Sequence, residues 1–205
     1  MGCCGSTAEI PNFRQNQPSN PQTVQVESKN KPQTNQDQNQ NQYAVKKVVK
    51  SKSKYEIFVE SALNMHNQYR AQHGAEPLTI SQDLNKIAQD YANHIAKINT
   101  MVHSQNEYKG EHLGENIYWC SGTPIEGAAM TTAWYDEIKD YDFNKPGFKS
   151  GTGHFTQVVW KESKQVGFGY AQSSDGAYFG VANYFPAGNM DDPEYFRENV
   201  QRKTA

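Results

Sequence analysis

The sequence predicts an α+β domain, a three-layer α-β-α sandwich in which a three-stranded or slightly larger antiparallel sheet lies between helices. Three segments with apolar residues at helical spacing come first along the chain, between residues 53 and 138. Beyond Gly153 the pattern changes to short runs rich in β-branched and aromatic residues, which are typical of strands. At 205 residues the chain has room for one such domain and an additional segment.

The first two helices are predicted from cap signals followed by apolar spacing. The first begins after Ser53, because Ser53 and Glu56 form a capping box ahead of apolar residues at helical spacing. The second follows a cap at Thr79 or Ser81. It carries the clearest helical stripe in the chain, formed by Leu84, Ile87, Ala88, Tyr91, Ala92 and Ile95.

A third helix and three strands complete the predicted layers. A capping box with proline at the first helical position opens this helix at Thr123 and carries it towards Ile138. A turn of Ser, Asp and Gly residues separates the last two strands. The predicted strands are residues 156–160, 166–171 and 178–185.

Composition and charge argue against several functional classes. The chain has 20 basic and 22 acidic side chains and a net charge of −2, so no general positive field favours nucleic acid. It has no apolar run of the roughly 18 residues that a membrane-spanning helix needs, and no apolar core of a secretory signal. The three cysteines, Cys3, Cys4 and Cys120, offer no disulfide framework, which favours a reducing compartment. We therefore expect a protein that is not secreted through a signal peptide.

The N-terminus, residues 1–6, has the pattern of an acylation motif. Gly2 becomes the first residue once Met1 is removed, and Ser6 occupies the hydroxyl position typical of N-myristoylation. A single myristoyl chain binds membranes reversibly, with an association constant of about 10⁴ M⁻¹. Cys3 and Cys4 are candidates for palmitoylation, which would supply the second signal that stable anchoring needs.

Residues 7–52 are rich in Gln and Asn and poor in apolar residues, so they are predicted to form a disordered tether. The folded domain is expected at residues 53–200, with a short tail at 201–205. The lysine-rich end of the tether either contacts anionic lipid, at about 1 kcal/mol for each lysine near the surface, or is a solvated run before the first helix. These lysines are Lys46, Lys47, Lys50, Lys52 and Lys54.

Four motifs carry a resemblance to a known family. Residues 153–160 read Gly-His-Phe-Thr-Gln-Val-Val-Trp, and residues 183–189 read Asn-Tyr-Phe-Pro-Ala-Gly-Asn. Two acidic motifs, Gly-Glu-Asn at 114–116 and Trp-Tyr-Asp-Glu-Ile at 134–138, accompany them. The four together resemble the CAP superfamily, which includes cysteine-rich secretory proteins, insect venom antigens and plant pathogenesis-related proteins. The resemblance runs from about Tyr55 to the C-terminus and implies the CAP, or SCP, fold.

The resemblance also implies a cleft formed by two histidines and two carboxylates. Carried over motif by motif, these are His103, Glu115, Glu137 and His154, with His112 as an alternative to His103. Imidazole and carboxylate groups suit zinc, which is the cofactor implied. The alternative is that the four side chains hydrogen-bond one another and brace the loops around the sheet.

Catalytic residues are not evident in the sequence. Ser104 and Cys120 are too isolated to indicate a nucleophile with its base, so no catalytic residue is assigned and an enzyme is the less favoured interpretation. The leading hypothesis is a lipid-anchored, non-enzymatic module that binds anionic membrane lipids and protein partners. The alternatives are a metal-assisted hydrolase or peptidase that uses the same cleft, and a carrier of sterol or fatty acid.

One departure from the family pattern bears on localisation. Secreted members usually carry a cysteine before the Asn-Tyr of the second signature, whereas this chain has Ala182 there. The sequence therefore resembles the intracellular, Golgi-associated branch of pathogenesis-related proteins. That resemblance implies residence on the cytosolic face of the Golgi or plasma membrane, and self-association as a homodimer.

Overall fold

The computed structural model describes residues 51–204. The predicted acylation motif and the tether up to residue 50 lie outside this range. The helices within it are α1 (Lys54–Gln72), α2 (Gln82–Ile98), α3 (Gly127–Tyr135), α4 (Gly153–Val159) and α5 (Pro193–Asn199), with a 3₁₀ helix at Asp136–Asp140. The strands are β1 (Thr79–Ile80), β2 (Glu107–Tyr108), β3 (Glu111–His112), β4 (Gly114–Cys120), β5 (Gln165–Gln172) and β6 (Tyr178–Phe185).

The main sheet has four strands in the order β1-β5-β6-β4. Strand β6 pairs antiparallel with both β5 and β4, whereas the two-residue β1 runs parallel to β5. Strands β2 and β3 form a separate antiparallel pair. The predicted α+β class is therefore confirmed, with β4 and the short β1 added to the two predicted strands that form.

Helices cover both faces of the main sheet. The alternation of β6 shows the division: Phe179 and Val181 pack into a core with α2, whereas Ala182 and Tyr184 belong to the core shared with α1, α3 and α4. Helix α2 lies very close to the sheet, since a Cβ atom on Gly167 of β5 would be 2.0 Å from a backbone atom of α2. This is the predicted three-layer arrangement.

The first two helices begin where the cap signals predicted. Ser53 and Glu56 form both hydrogen bonds of the capping box at α1, and Ser81, rather than Thr79, caps α2 by accepting from the Leu84 amide. The third helix starts at Gly127 instead of Thr123. The predicted cap was wrong because the chain before α3 is held by packing, with the buried Ile125 lying against Gly180 of β6.

The predicted strand at residues 156–160 was wrong, because this segment forms most of α4. The sequence resembles a strand because β-branched and aromatic residues fill it. Every residue from His154 to Val159 is buried, so these side chains reflect complete burial rather than a sheet. His154 therefore lies at the start of a helix and not at the entry to a strand.

A buried arginine joins α1 to the segments around α4. The Arg70 guanidinium is fully buried and donates hydrogen bonds to the backbone carbonyls of Glu76, Val158, Trp160 and Ser163, at 2.8–3.0 Å. Burial lowers the pKa of Arg70 to about 10, so the side chain keeps its charge at neutral pH. One side chain therefore connects the loop after α1, the end of α4 and the loop before β5.

Candidate functional site

Glu137 acts as the cap of α4 from a distant part of the chain. Its carboxylate accepts hydrogen bonds from the backbone amides of His154 at 2.9 Å and Phe155 at 3.3 Å, and from His154 Nδ1 at 2.7 Å. Thr152, the residue before the helix, makes no side-chain cap bond. The 3₁₀ helix thus supplies the negative charge and acceptors that a helix N-terminus needs.

Glu115, on β4, also accepts hydrogen bonds from a histidine ring and from a backbone amide. Its carboxylate accepts from His103 Nδ1 at 2.9 Å, from the Ser104 amide at 2.8 Å and from the Ser104 hydroxyl at 2.6 Å. Asn183 of β6 donates a further bond from Nδ2 at 3.2 Å. The side chain of Glu115 is only 6% exposed, so its buried charge is balanced by these four donors.

The structure decides between the two alternative histidines as partners of Glu115. His103 contacts this carboxylate, whereas His112 lies in β3 and pairs with Glu107 across the two-stranded sheet, at 3.7 Å. All four residues named from the resemblance are therefore paired, as His103–Glu115 and His154–Glu137.

Strand β4 connects the two pairs. Consecutive strand residues point to opposite faces, so Glu115 faces the α2 side and Asn116 faces α4. Asn116 Nδ2 donates to the His154 carbonyl at 3.1 Å and to the Tyr184 hydroxyl at 3.2 Å. Two adjacent residues of this edge strand thus contact the two pairs. Glu115 is a member of one pair on one face of the sheet, and Asn116 holds the backbone of His154 on the other face.

The two signature motifs contact each other directly. The Asn189 amide donates to the Gly153 carbonyl at 2.8 Å, and its oxygen pairs with the Thr156 hydroxyl at 2.6 Å. The Gln157 side chain accepts from the Gly188 amide at 3.0 Å. These motifs, far apart in sequence, therefore hold α4 and the segment after β6 together, which is a bracing role.

The same network continues into the core through His66. Its Nδ1 donates to the Ala62 carbonyl, and its Nε2 accepts from the Tyr184 hydroxyl, both at 2.8 Å. Burial, aided by the positive charge of Arg70, lowers the pKa of His66 to about 3. His66 is therefore neutral at physiological pH, and the chain His66–Tyr184–Asn116 connects α1 to the backbone of His154.

Sequence reasoning missed the polar residues that support the pairs, namely Ser104, Asn116 and Asn183 as hydrogen-bonding groups. A signal was present, since Asn183 interrupts an otherwise apolar strand and Asn116 follows the acidic residue of its motif. The side-chain oxygens of both asparagines are buried without a hydrogen-bond partner among the described residues. Their amide nitrogens face carbonyl, hydroxyl and carboxylate acceptors, which fixes each oxygen as an unused acceptor.

The fit of this site to zinc rests on the histidines. Both direct Nδ1 at a carboxylate, an orientation that metal-binding histidines commonly adopt, which leaves Nε2 of His103 and His154 as the candidate ligand atoms. Glu115 and Glu137 fit as groups that orient the rings, because their oxygens already accept protein hydrogen bonds. In residues 51–204, no group of three or more His, Cys, Asp or Glu side chains is arranged to hold a metal ion.

The predicted lipid-contact residues lie mostly outside the described range, which excludes Gly2, Cys3, Cys4, Lys46, Lys47 and Lys50. Lys52 forms an ion pair with Glu60 on the exposed face of α1, and Lys54 is the exposed first residue of that helix. Among the described helices none is long and apolar enough to span a bilayer.

Comparison with known proteins gives the family. The sequence model of the cysteine-rich secretory protein family, CAP, matches residues 63–184. The chain belongs to this family. Its CAP domain is 45% identical to Golgi-associated plant pathogenesis-related protein 1 of Homo sapiens over 149 residues, which cover 73% of this chain and 96% of the relative. It is 38% identical to pathogenesis-related protein 1C of Nicotiana tabacum, over 62% of this chain and 74% of the relative.

A solved CAP-family structure has the same architecture. The crystal structure of NaASP2 with Zn²⁺ matches with a TM-score of 0.53 and 25% identity, over 73% of this chain and 87% of that one. The three-layer sandwich is therefore the CAP fold.

Proposed function

We propose that this chain is a lipid-anchored, non-enzymatic CAP-domain protein that binds membrane lipids and protein partners on the cytosolic face of the Golgi. The observation that carries the proposal is the 45% identity to a Golgi-associated protein, which extends over 96% of that relative. The Met-Gly-Cys-Cys start supports acylation as the means of attachment. In this proposal the anchor holds the CAP domain at the membrane surface, where it binds lipids and protein partners.

The hydrogen bonding of the site favours binding over catalysis. A general base needs a carboxylate or imidazole that can take a proton from the attacking group. The Glu115 oxygens accept from Ser104, His103 and Asn183, and Glu137 caps α4. The Ser104 hydroxyl donates to Glu115, whose oxygens also accept from the Ser104 amide, His103 and Asn183, so this carboxylate is a poor base for activating Ser104.

Metabolic labelling with fatty-acid analogues, followed by membrane fractionation, tests the anchor. We expect the wild type to be labelled and to sediment with Golgi membranes, Gly2→Ala to be unlabelled and soluble, and Cys3→Ser/Cys4→Ser to bind only transiently. Gly5→Ala and Cys120→Ser are matched controls, because they change the same residue types outside the proposed acylation positions. Sedimentation of Gly2→Ala like wild type would show that acylation does not attach the protein.

Zinc binding belongs to the same proposal as a property of the His103 and His154 rings, and the NaASP2 structure with Zn²⁺ supports it. Bound zinc would supply a Lewis acid at this site. Titration of the full chain with Zn²⁺, followed by NMR of the histidine rings, should shift the signals of His103 and His154 and leave those of the exposed His94 unchanged. We expect His103→Gln and His154→Gln to lose zinc binding. If both variants bind zinc as tightly as wild type does, zinc is removed from the proposal.

A further inference from the structure

A cavity whose lining includes none of the His–Glu pairs lies where the end of α1 meets α5 and the C-terminal residues. Its volume is about 340 Å³, at the lower end of the range for small-molecule sites. Tyr141 and Phe143, from the loop after the 3₁₀ helix, form its aromatic wall. His73 and Gln201 lie on the side nearest α1.

Hydrogen bonds hold the C-terminal segment in place and so shape this cavity. The His73 ring donates from Nδ1 to the Gln201 carbonyl at 2.5 Å and accepts from the Tyr135 hydroxyl at 2.8 Å. The Thr204 amide donates to the Gln72 carbonyl at 2.8 Å. The predicted tail is thus part of the domain as far as Thr204, and the cavity wall that it forms is fixed in advance of any ligand.

The charge around the cavity has one sign. Lys161, Arg197 and Arg202 line it, and none of its lining residues is Asp or Glu. Arg202 is held over the Phe143 ring, 5.1 Å from its centre, and donates to the Asn144 side chain at 2.8 Å. Arg197 pairs with Glu194, one turn earlier on α5 and outside the lining, so part of its charge is already neutralised.

We propose that this cavity binds the phosphate group of a small organic ligand. A phosphate monoester carries nearly two negative charges and three acceptor oxygens at neutral pH, which suits a cavity whose lining holds three cationic residues and no acidic one better than a single carboxylate does. The aromatic wall and the volume leave room for a compact organic group beside the phosphate. The phosphate belongs either to a soluble ester or to a lipid headgroup, and this site acts independently of the acyl anchor and of the His–Glu pairs.

Binding of glycerol 3-phosphate and of vesicles tests this site on the full-length Gly2→Ala chain, so that no myristoyl group contributes. Calorimetry measures the affinity for glycerol 3-phosphate. Co-sedimentation compares binding to phosphatidylcholine vesicles with and without phosphatidic acid. The site variant is Lys161→Gln/Arg202→Gln. The matched control, Lys86→Gln/Lys97→Gln on α2, removes the same amount of charge far from the cavity.

We expect glycerol 3-phosphate to bind the Gly2→Ala chain, to shift its backbone NMR signals at Gln201 and Thr204, and to bind the site variant in the same background at least about tenfold more weakly. The control variant should bind like the Gly2→Ala chain. Binding of both probes indicates a lipid headgroup, and binding of the soluble probe alone indicates a free ester. The proposal is overturned if neither probe binds, if the site variant binds like the Gly2→Ala chain, or if the control loses as much affinity as the site variant. Labelling at Gly2 is measured separately, so failure here leaves the proposed anchor untouched.

Discussion

Lowering the pH from about 7 to 5 should reduce the free energy of unfolding by about 2 kcal/mol through His66 alone. His66 is fully buried among Trp134, Phe168 and Tyr184, and its pKa of about 3 results first from burial. In the unfolded chain a histidine has a pKa of about 6.5. The two states therefore bind different numbers of protons in the range between these values.

The sign follows from which state takes the proton. Well above pH 6.5 the ring is neutral in both states and has no effect on the pH dependence. Below it, the unfolded chain is protonated while the folded one is not, so the unfolded state gains about 1.4 kcal/mol for each pH unit, down to a pH of about 3. Burial also lowers the pKa of His73, which adds to the same trend.

Urea unfolding followed by circular dichroism, at several pH values between about 5 and 7, measures this slope. His66→Gln should be less stable than wild type at pH 7, because one buried hydrogen-bonding group is replaced by another of different shape, but its slope should be shallower by about one proton. His94→Gln, on an exposed residue of α2, is the matched control and should keep the wild-type slope. Parallel slopes for wild type and His66→Gln would refute the assignment of a neutral, buried imidazole.

Three further substitutions test the bracing of the fold. Arg70→Met should cost about 3–5 kcal/mol in urea unfolding, because four buried carbonyls lose their donor, and a loss below about 1 kcal/mol would contradict the role given to this arginine. Gly167→Ala should cost about 1–3 kcal/mol or more, since the new Cβ would lie 2.0 Å from the α2 backbone, and an unchanged melting temperature would argue against that close packing. Glu137→Gln should cost about 1–2 kcal/mol and speed hydrogen exchange at the amides of His154 and Phe155, whereas unchanged exchange would mean that the carboxylate is not the cap of α4.

The parts of the fold that local chemistry determines were predictable. The Ser53 capping box and the α2 stripe involve residues within a few positions of each other, so their spacing carries the information. The prediction of a strand at 156–160 was wrong because β-branched residues are common both in strands and in completely buried helices. The cap that marks this segment as a helix comes from Glu137, which is distant in sequence. The predicted start of α3 at Thr123 was wrong for a similar reason, since the packing of Ile125 on Gly180 is not visible in the local sequence.

The candidate site could not be predicted from spacing at all. His103 reaches Glu115, and Glu137 reaches His154, only after helices, strands and loops have assembled. The family resemblance named these four residues, but it did not supply their hydrogen bonds or separate His103 from His112. The cavity at the C-terminal segment had no signal in the sequence, because its lining comes from the end of α1, the loop after the 3₁₀ helix, the loop after α4, and α5 with the C-terminal segment.

The bonding of the signature motifs limits what they can do in function. Thr156, Gln157 and Asn189 use their polar side chains to hold α4 against the segment after β6, and the two carboxylates hold histidines and backbone amides. What the site offers a ligand is then small, namely the Nε2 atoms of His103 and His154, because the unpartnered oxygens of Asn116 and Asn183 are buried. Because the motifs mainly stabilise the fold, the features that make this chain specific should lie outside them. The N-terminal segment and the cationic cavity are the two places where its residues suggest such a difference, and they can be tested separately.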